Sequence, residues 1–149
     1  MFTSWFNTKS GIVSNKIGFE DVIYAIKHNE THLLINTLPA TYSDQECLIS
    51  HTISCHSEEQ LINDLVKQYT LDKTIIIYGK NAADSSTDQK YQQLRGFGFY
   101  NVLIYSGGLF EWLLLQDIYG FDEFPTTKKI LDILKYKPAS TFARPRIGY

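Results

Sequence analysis

In the stretch Thr74-Ile75-Ile76-Ile77-Tyr78, β-branched or aromatic residues follow one another with no charged side chain. Such a run, apolar on both faces, is typical of a central parallel strand that helices cover on each side. A short polar loop, Gly79 to Asp84, comes next, and the following helix begins at Ser85 or Ser86. The sequence therefore predicts a strand, a loop and a helix at the centre of an α/β fold.

Helices and strands continue to alternate on both sides of this unit. That alternation favours a mostly parallel sheet flanked by helices, in which ligands bind beyond the carboxyl ends of the strands. The other predicted elements are a helix at 19–26, a strand at 33–35, strand fragments at 47–49 and 52–54, a helix at 57–69 capped by Ser57, a strand at 102–105, a short amphipathic run at 107–115 and a last helix at 127–136 that buries Ile130, Leu131 and Leu134.

The chain has 149 residues and a mass of 17.2 kDa, which is the size of one ordinary domain. We expect an irregular segment at 1–16, the α/β domain at 17–125, and a C-terminal helix with an extended basic tail at 126–149. Residues 1–125 hold 8 basic and 15 acidic side chains, a balance of −7, whereas 126–149 hold 6 basic and 1 acidic, a balance of +5.

This charge asymmetry has two interpretations. The basic segment folds back on its own acidic body, or it reaches an acidic surface on a protein partner. A basic groove interleaved with aromatic residues is missing, which argues against nucleic acid as the partner. The residues that we expect to contact a partner are Lys135, Lys137, Arg144, Arg146 and Tyr149.

Several classes of protein do not fit the sequence. No apolar run approaches the ~20 residues that a membrane span needs. The start of the chain, Met1 to Phe6, lacks the order of a secretory signal, so we expect a cytoplasmic or nucleoplasmic protein. Cys47 and Cys55 form no CxxC pair and have no cluster of histidines around them, so neither a disulfide scaffold, a metal site nor a cofactor is predicted.

Two motifs resemble those of the rhodanese-like domain family. One is Gly98-Phe99-Tyr100-Asn101-Val102, which is similar to the family's turn into a strand. The other, Tyr105 to Trp112, contains the Gly-Gly-x-x-x-Trp pattern that closes the family's domain. The resemblance covers about residues 17–118 and implies a single rhodanese-like α/β domain.

The family transfers sulfane sulfur through a persulfide on a cysteine, at the first position of a six-residue loop whose amides form an anion nest. In this chain the corresponding loop lacks that cysteine and carries Asp84 where the family often has arginine. An upstream Asp-x-Arg is replaced by Asn36 and Leu38. The resemblance therefore implies a catalytically inactive module that acts as a protein-interaction or structural component. Its degenerate loop consists of Gly79, Lys80, Asn81, Ala82, Ala83, Asp84 and Ser85.

The sequence leaves two further hypotheses open. One is a sulfurtransferase that uses Cys55 as a displaced nucleophile, with His51 or His56 lowering the pKa of its thiol. The other is a subunit of a larger assembly. Cys47 is interpreted as a small hydrophobic residue rather than a reactive thiol. An open loop with inward amides would favour ligand binding, and a loop closed by its own side chains would favour scaffolding.

Overall fold

The centre of the fold is a sheet of four parallel strands, seen in a computed structural model that describes residues 14–142. In chain order the strands are β1 (Lys16–Ile17), β2 (His32–Asn36), β3 (Thr74–Tyr78) and β4 (Val102–Tyr105). Their order across the sheet is β1-β4-β3-β2, which places β3 in the interior as the sequence predicts. The carboxyl ends of all four strands therefore lie at one edge of the sheet.

Five α-helices accompany the sheet within the described residues: α1 (Phe19–Lys27), α2 (Tyr42–Gln45), α3 (Cys55–Lys67), α4 (Ser86–Gly96) and α5 (Gly108–Tyr119). The side chains of β3 alternate between two cores, because successive residues of a strand point to opposite faces. Ile76 and Tyr78 pack with α1 and α5, whereas Ile75 and Ile77 pack with α3 and α4. The α/β architecture predicted from the sequence is confirmed.

The predicted helix at 127–136 is wrong. Only a 3₁₀-helix, Ile133–Tyr136, forms there. The residues before it pair with the loop ahead of α3: Ile49 and Thr126 form an antiparallel bridge, and Thr127 donates its backbone N–H to the Leu48 carbonyl (2.8 Å). This pairing keeps the backbone at residues 126 and 127 extended, so the predicted helix does not begin there. Leu131 and Leu134, which were expected to be buried, are 95% and 60% exposed.

Two other predictions also differ from the structure. The strand fragments at 47–49 and 52–54 are only isolated bridges. Helix α3 begins at Cys55 rather than after Ser57. The Ser54 hydroxyl accepts the His56 backbone N–H, so the residue that caps the helix lies three positions earlier in the chain than predicted. No helix among residues 14–142 is long and apolar enough to cross a membrane.

Candidate functional site

The loop Gly79–Ser85 lies at the carboxyl edge of the sheet, between β3 and α4, and its backbone is held by the start of α5. Leu109 donates its N–H to the Gly79 carbonyl (3.0 Å), and Phe110 donates to the Lys80 carbonyl (2.9 Å). Gly108 has φ +68°, and a Cβ there would lie 2.9 Å from both the Asn81 nitrogen and the Gly79 oxygen. A glycine at this position therefore allows the helix to approach the loop closely.

The inside of this loop is filled by the side chain of Asp84. Its Oδ2 accepts the Lys80 backbone N–H (2.9 Å). Its Oδ1 accepts the Ser86 backbone N–H (3.0 Å) and the Ser86 hydroxyl (2.6 Å). Asp84 thus uses amides that an open loop would offer to an external anion, and it also caps α4 in place of Ser85, whose side chain makes no capping bond.

These contacts determine the charge of Asp84. Partial burial alone would raise the pKa of its carboxyl. The hydrogen bonds from Lys80 and Ser86, together with the positive charge of Lys80, outweigh burial and leave the pKa below its ordinary value. The group that fills the loop is therefore a carboxylate at neutral pH.

The same carboxylate uses the space that a side chain at position 79 would need. A Cβ built on Gly79 would lie 2.5 Å from Asp84 Oδ2 and 3.0 Å from Thr37 Oγ1. Contacts this short require one of the neighbours to move. Glycine at 79 therefore leaves room for the Asp84 carboxylate.

The chain after α5 is attached to the loop from the other side. Asn81 is buried, its Nδ2 donates to the Tyr136 carbonyl (2.8 Å), and its Oδ1 accepts the Ala83 N–H (2.9 Å). Tyr136 itself is fully buried, and its hydroxyl has no hydrogen-bond partner among residues 14–142. The hydrogen bond between Asn81 and Tyr136 was not predicted, because the two residues are 55 apart in the sequence.

Cys55 lies near the loop but outside it. It is the first residue of α3 and is half-buried. It borders a cavity of about 630 Å³ together with Thr37, Glu58, Ser86 and Lys90. Lys90 forms an ion pair with Glu58 (2.5 Å), so the positive charge of this cavity is already paired. His51 and His56, the predicted partners of Cys55, are exposed and are not among the residues that border the cavity.

The remaining predicted residues are separated in space. Cys47 is fully buried and donates from Sγ to the Lys128 carbonyl (3.2 Å), and burial raises the pKa of its thiol, as suits an unreactive core cysteine. Lys135 is exposed, and its Nζ lies 3.5 Å from the Ser43 carbonyl oxygen. Lys137 borders a cavity next to the loop. Arg144, Arg146 and Tyr149 lie outside the described residues.

The site includes contacts that sequence reasoning missed. Asn36 is buried at the end of β2, where its Oδ1 accepts the Leu38 N–H (3.0 Å) and the Gln45 Nε2 amide (2.8 Å). The Thr37 hydroxyl lies 2.7 Å from that of Ser86. Their position after a strand predicted them as edge residues, but no spacing in the sequence linked them to Ser86 or Gln45.

The sheet is parallel, and a short loop at its carboxyl edge is held by the start of α5, so the fold and the site define an α/β domain. The family model described as the rhodanese-like domain matches residues 39–115. This chain belongs to the rhodanese-like domain family, which confirms the resemblance seen in its motifs. No curated protein sequence matches the chain.

Solved structures show the same fold. A Bacillus halodurans protein is 18% identical, with a TM-score of 0.57 over 80% of this chain and 84% of that chain. The solution structure of a rhodanese-like domain from Anabaena sp. is 20% identical, with a TM-score of 0.54 over 91% of this chain and 92% of that chain. A single-domain sulfurtransferase from Saccharomyces cerevisiae is 21% identical, with a TM-score of 0.50 over 72% and 94%. At these identities the likeness establishes the fold alone.

Proposed function

We propose that this chain is a rhodanese-like domain without sulfurtransferase activity, which acts in the cytoplasm or nucleoplasm as a protein-interaction or structural component. One observation carries the first part of the proposal: the Asp84 carboxylate lies inside the loop and accepts the Lys80 and Ser86 amides. A persulfide or thiosulfate would require those amides and a thiolate at position 79, where this chain has glycine.

Repulsion supports the same conclusion. A thiosulfate or persulfide anion that entered the loop would meet the charge of Asp84 at close range. Like charges in a partly desolvated site repel one another, and the carboxylate oxygens offer no proton to a second anion. The loop is therefore closed to the ligands that the family's chemistry requires.

A turnover assay tests this part of the proposal. The full chain, with Cys47 and Cys55 reduced, is incubated with thiosulfate and cyanide, and thiocyanate is measured against a single-domain sulfurtransferase as a positive control. We expect no thiocyanate above the rate without protein. Turnover that survives in the Cys55→Ser variant would contradict the proposal outright.

The interaction role is supported by charge. Lys137 is exposed beside the loop, and we assign Lys135, Lys137, Arg144, Arg146 and Tyr149 to the contact with an acidic partner surface, either transient or within a larger assembly. An ionic contact of this kind weakens as salt screens it. We expect a chain that lacks residues 138–149 to retain its fold and to lose much of its partner capture. Equal capture by both chains would remove the tail from the interface.

A second candidate function is sulfur transfer through Cys55. The observation in its favour is that Cys55 begins a helix and borders the cavity of about 630 Å³, which also reaches Thr37 and Ser86. Intact mass measured after exposure to thiosulfate distinguishes the two candidates: a gain of one sulfur atom on Cys55, together with turnover that disappears in Cys55→Ser, would favour the enzyme.

A further inference from the structure

Helix α5 is apolar on nearly every side. Its 12 residues include three with charged or amide side chains, Glu111, Gln116 and Asp117. Gln116 is buried and donates to the Phe124 carbonyl (2.7 Å), and Glu111 accepts the Tyr105 hydroxyl (2.5 Å), so both of these side chains bind within the domain. A helix that is apolar all round is typical of one that is covered on more than one side.

The side of α5 that faces away from the sheet carries a row of exposed apolar residues. Leu114 and Ile118 are four residues apart, so they are neighbours along one side of the helix. They are 38% and 69% exposed. Leu109, Trp112 and Leu113, on the opposite side, are fully buried and complete the core of the domain. Leu114 and Ile118, the outer face of α5, are therefore available for contact with another element.

The C-terminal end of this helix is acidic. Asp117, Asp122 and Glu123 are exposed, and none of their side chains forms a hydrogen bond or an ion pair within residues 14–142. Residues 108–123 contain no Lys, Arg or His, and the C-terminus of a helix carries partial negative charge of its own. These three residues, the acidic end of α5, therefore favour a basic partner.

Shape and charge together indicate which kind of element fits. Twelve residues make α5 about 18 Å long, and a row of side chains four residues apart forms a ridge that packs between the ridges of another helix. A second copy of the chain that used the same face would bring three more carboxylates and no basic side chain to the contact. A basic amphipathic helix supplies both an apolar face and the missing cations.

We propose that the outer face of α5 binds an amphipathic helix of a protein partner. Apolar side chains of that helix pack on Leu114 and Ile118, and its lysine or arginine side chains contact the acidic end of α5. The proposal goes beyond the contact assigned above to the basic tail, because it concerns another surface and a partner element of opposite charge. Helix α5 begins at the loop, near the cavity that Lys137 borders, and its acidic end lies about 18 Å further along the helix.

The test uses the full-length ¹⁵N-labelled chain and three capped peptides of about 18 residues, long enough to form helices. The first has leucine on one face and lysine on the other, the second has glutamate in place of lysine, and the third has the composition of the first with its leucines spread around the helix. We expect the first peptide to shift the amide signals of Leu114 and Ile118 and to bind at least about tenfold more tightly than the second and about fivefold more tightly than the third.

One pair of substitutions tests the apolar contact. Leu114→Ser with Ile118→Ser should weaken binding of the leucine–lysine peptide about tenfold. The matched control is Phe97→Ser, since Phe97 is also exposed but follows α4, the helix on the other face of the sheet; we expect it to change binding less than about twofold. If the double variant proves unstable, Ile118→Ser alone replaces it, with an expected weakening of about threefold.

A second pair tests the ionic contact. Asp117→Asn with Glu123→Gln should weaken binding of the same peptide about threefold and reduce its dependence on salt. The control Glu59→Gln removes an exposed carboxylate of α3 and should change binding less than about twofold.

Four results would overturn the proposal. They are equal binding of the lysine and glutamate peptides, equal binding of the first and third peptides, binding that Leu114→Ser with Ile118→Ser leaves unchanged, and self-association of the wild-type chain that this double variant abolishes. The last result, measured by sedimentation, would assign the outer face of α5 to a second copy of the chain.

Discussion

At the scale of single residues, the Asp84 carboxylate occupies the space that a side chain at position 79 would need. A Cβ at 79 would lie 2.5 Å from Asp84 Oδ2, so we expect Gly79→Ala to lower the free energy of unfolding by about 1–3 kcal/mol. In an Asp84→Ala background the oxygen is gone, and the further cost of Gly79→Ala should fall by at least about 1 kcal/mol. Urea unfolding of the four chains measures this coupling.

Gly96→Ala is the matched control for that cycle. Gly96 ends α4, and a Cβ there would meet nothing within 4 Å. Its substitution should therefore leave stability unchanged or raise it by up to about 1 kcal/mol. Additive effects of Gly79→Ala and Asp84→Ala would show that the two residues do not depend on each other.

The lowered pKa of Asp84 predicts a pH dependence of stability. The folded state holds the Asp84 proton less tightly than the unfolded state, so the stabilisation is complete above the unfolded value of about 3.9 and is lost as pH falls through the lower folded value. We expect the wild type to exceed Asp84→Asn in unfolding free energy by a constant amount between about pH 7 and pH 5, and by less below about pH 4.

Asp122→Asn is the control for loss of a negative charge, since Asp122 is exposed and forms no hydrogen bond or ion pair in the described residues. Its difference from the wild type should vary less with pH than that of Asp84→Asn. A difference for Asp84→Asn that persists undiminished to about pH 3 would mean that its hydrogen bonds do not favour the ionised form.

At the scale of elements, the start of α5 fixes the loop through Gly108. Both Gly108 and Gly120 have positive φ, +68° and +107°, but only at Gly108 would a Cβ meet backbone atoms of the loop. We expect Gly120→Ala to cost about 1 kcal/mol from backbone strain, and Gly108→Ala to cost at least about 1 kcal/mol more. Thermal unfolding of the two variants compares them, and equal losses would show that close contact with the loop is unimportant.

The elements also show what the sequence could predict. The strands β3 and β4 and the helix α1 follow from runs and spacings of apolar residues, which report burial directly. Residues 127–136 also have helical spacing, but the chain enters this stretch extended, with Thr126 and Thr127 paired to Ile49 and Leu48. Local periodicity carries no information about a partner so far along the chain.

The candidate site was predictable in the same uneven way. Position after a strand identified the loop, and the family resemblance identified glycine and aspartate as departures within it. That Asp84 turns inward onto the Lys80 and Ser86 amides depends on the path of the backbone, which residue types alone do not determine.

At the scale of the whole molecule, the C-terminal segment is part of the folded domain at least as far as Tyr136. Phe124 and Tyr136 belong to the same core as α1 and α5, and Gln116 donates to the Phe124 carbonyl (2.7 Å). Lys128 adds an ion pair with Glu46 (3.2 Å), so part of the basic segment does contact its own acidic body. The cavity that Lys137 and Ala139 border together with the loop therefore has one wall from this packed segment.

Tyr136 tests that packing, because its ring and its hydroxyl have different surroundings. The ring is fully buried, so Tyr136→Ala should lower the free energy of unfolding by about 3–5 kcal/mol. The hydroxyl is buried and has no hydrogen-bond partner in the part of the chain that the structure describes, so Tyr136→Phe should leave stability unchanged or raise it by up to about 1 kcal/mol. Urea unfolding of the two variants separates ring from hydroxyl. A small effect of Tyr136→Ala would mean that the segment contributes little to the core, and would contradict its packing against α1 and α5.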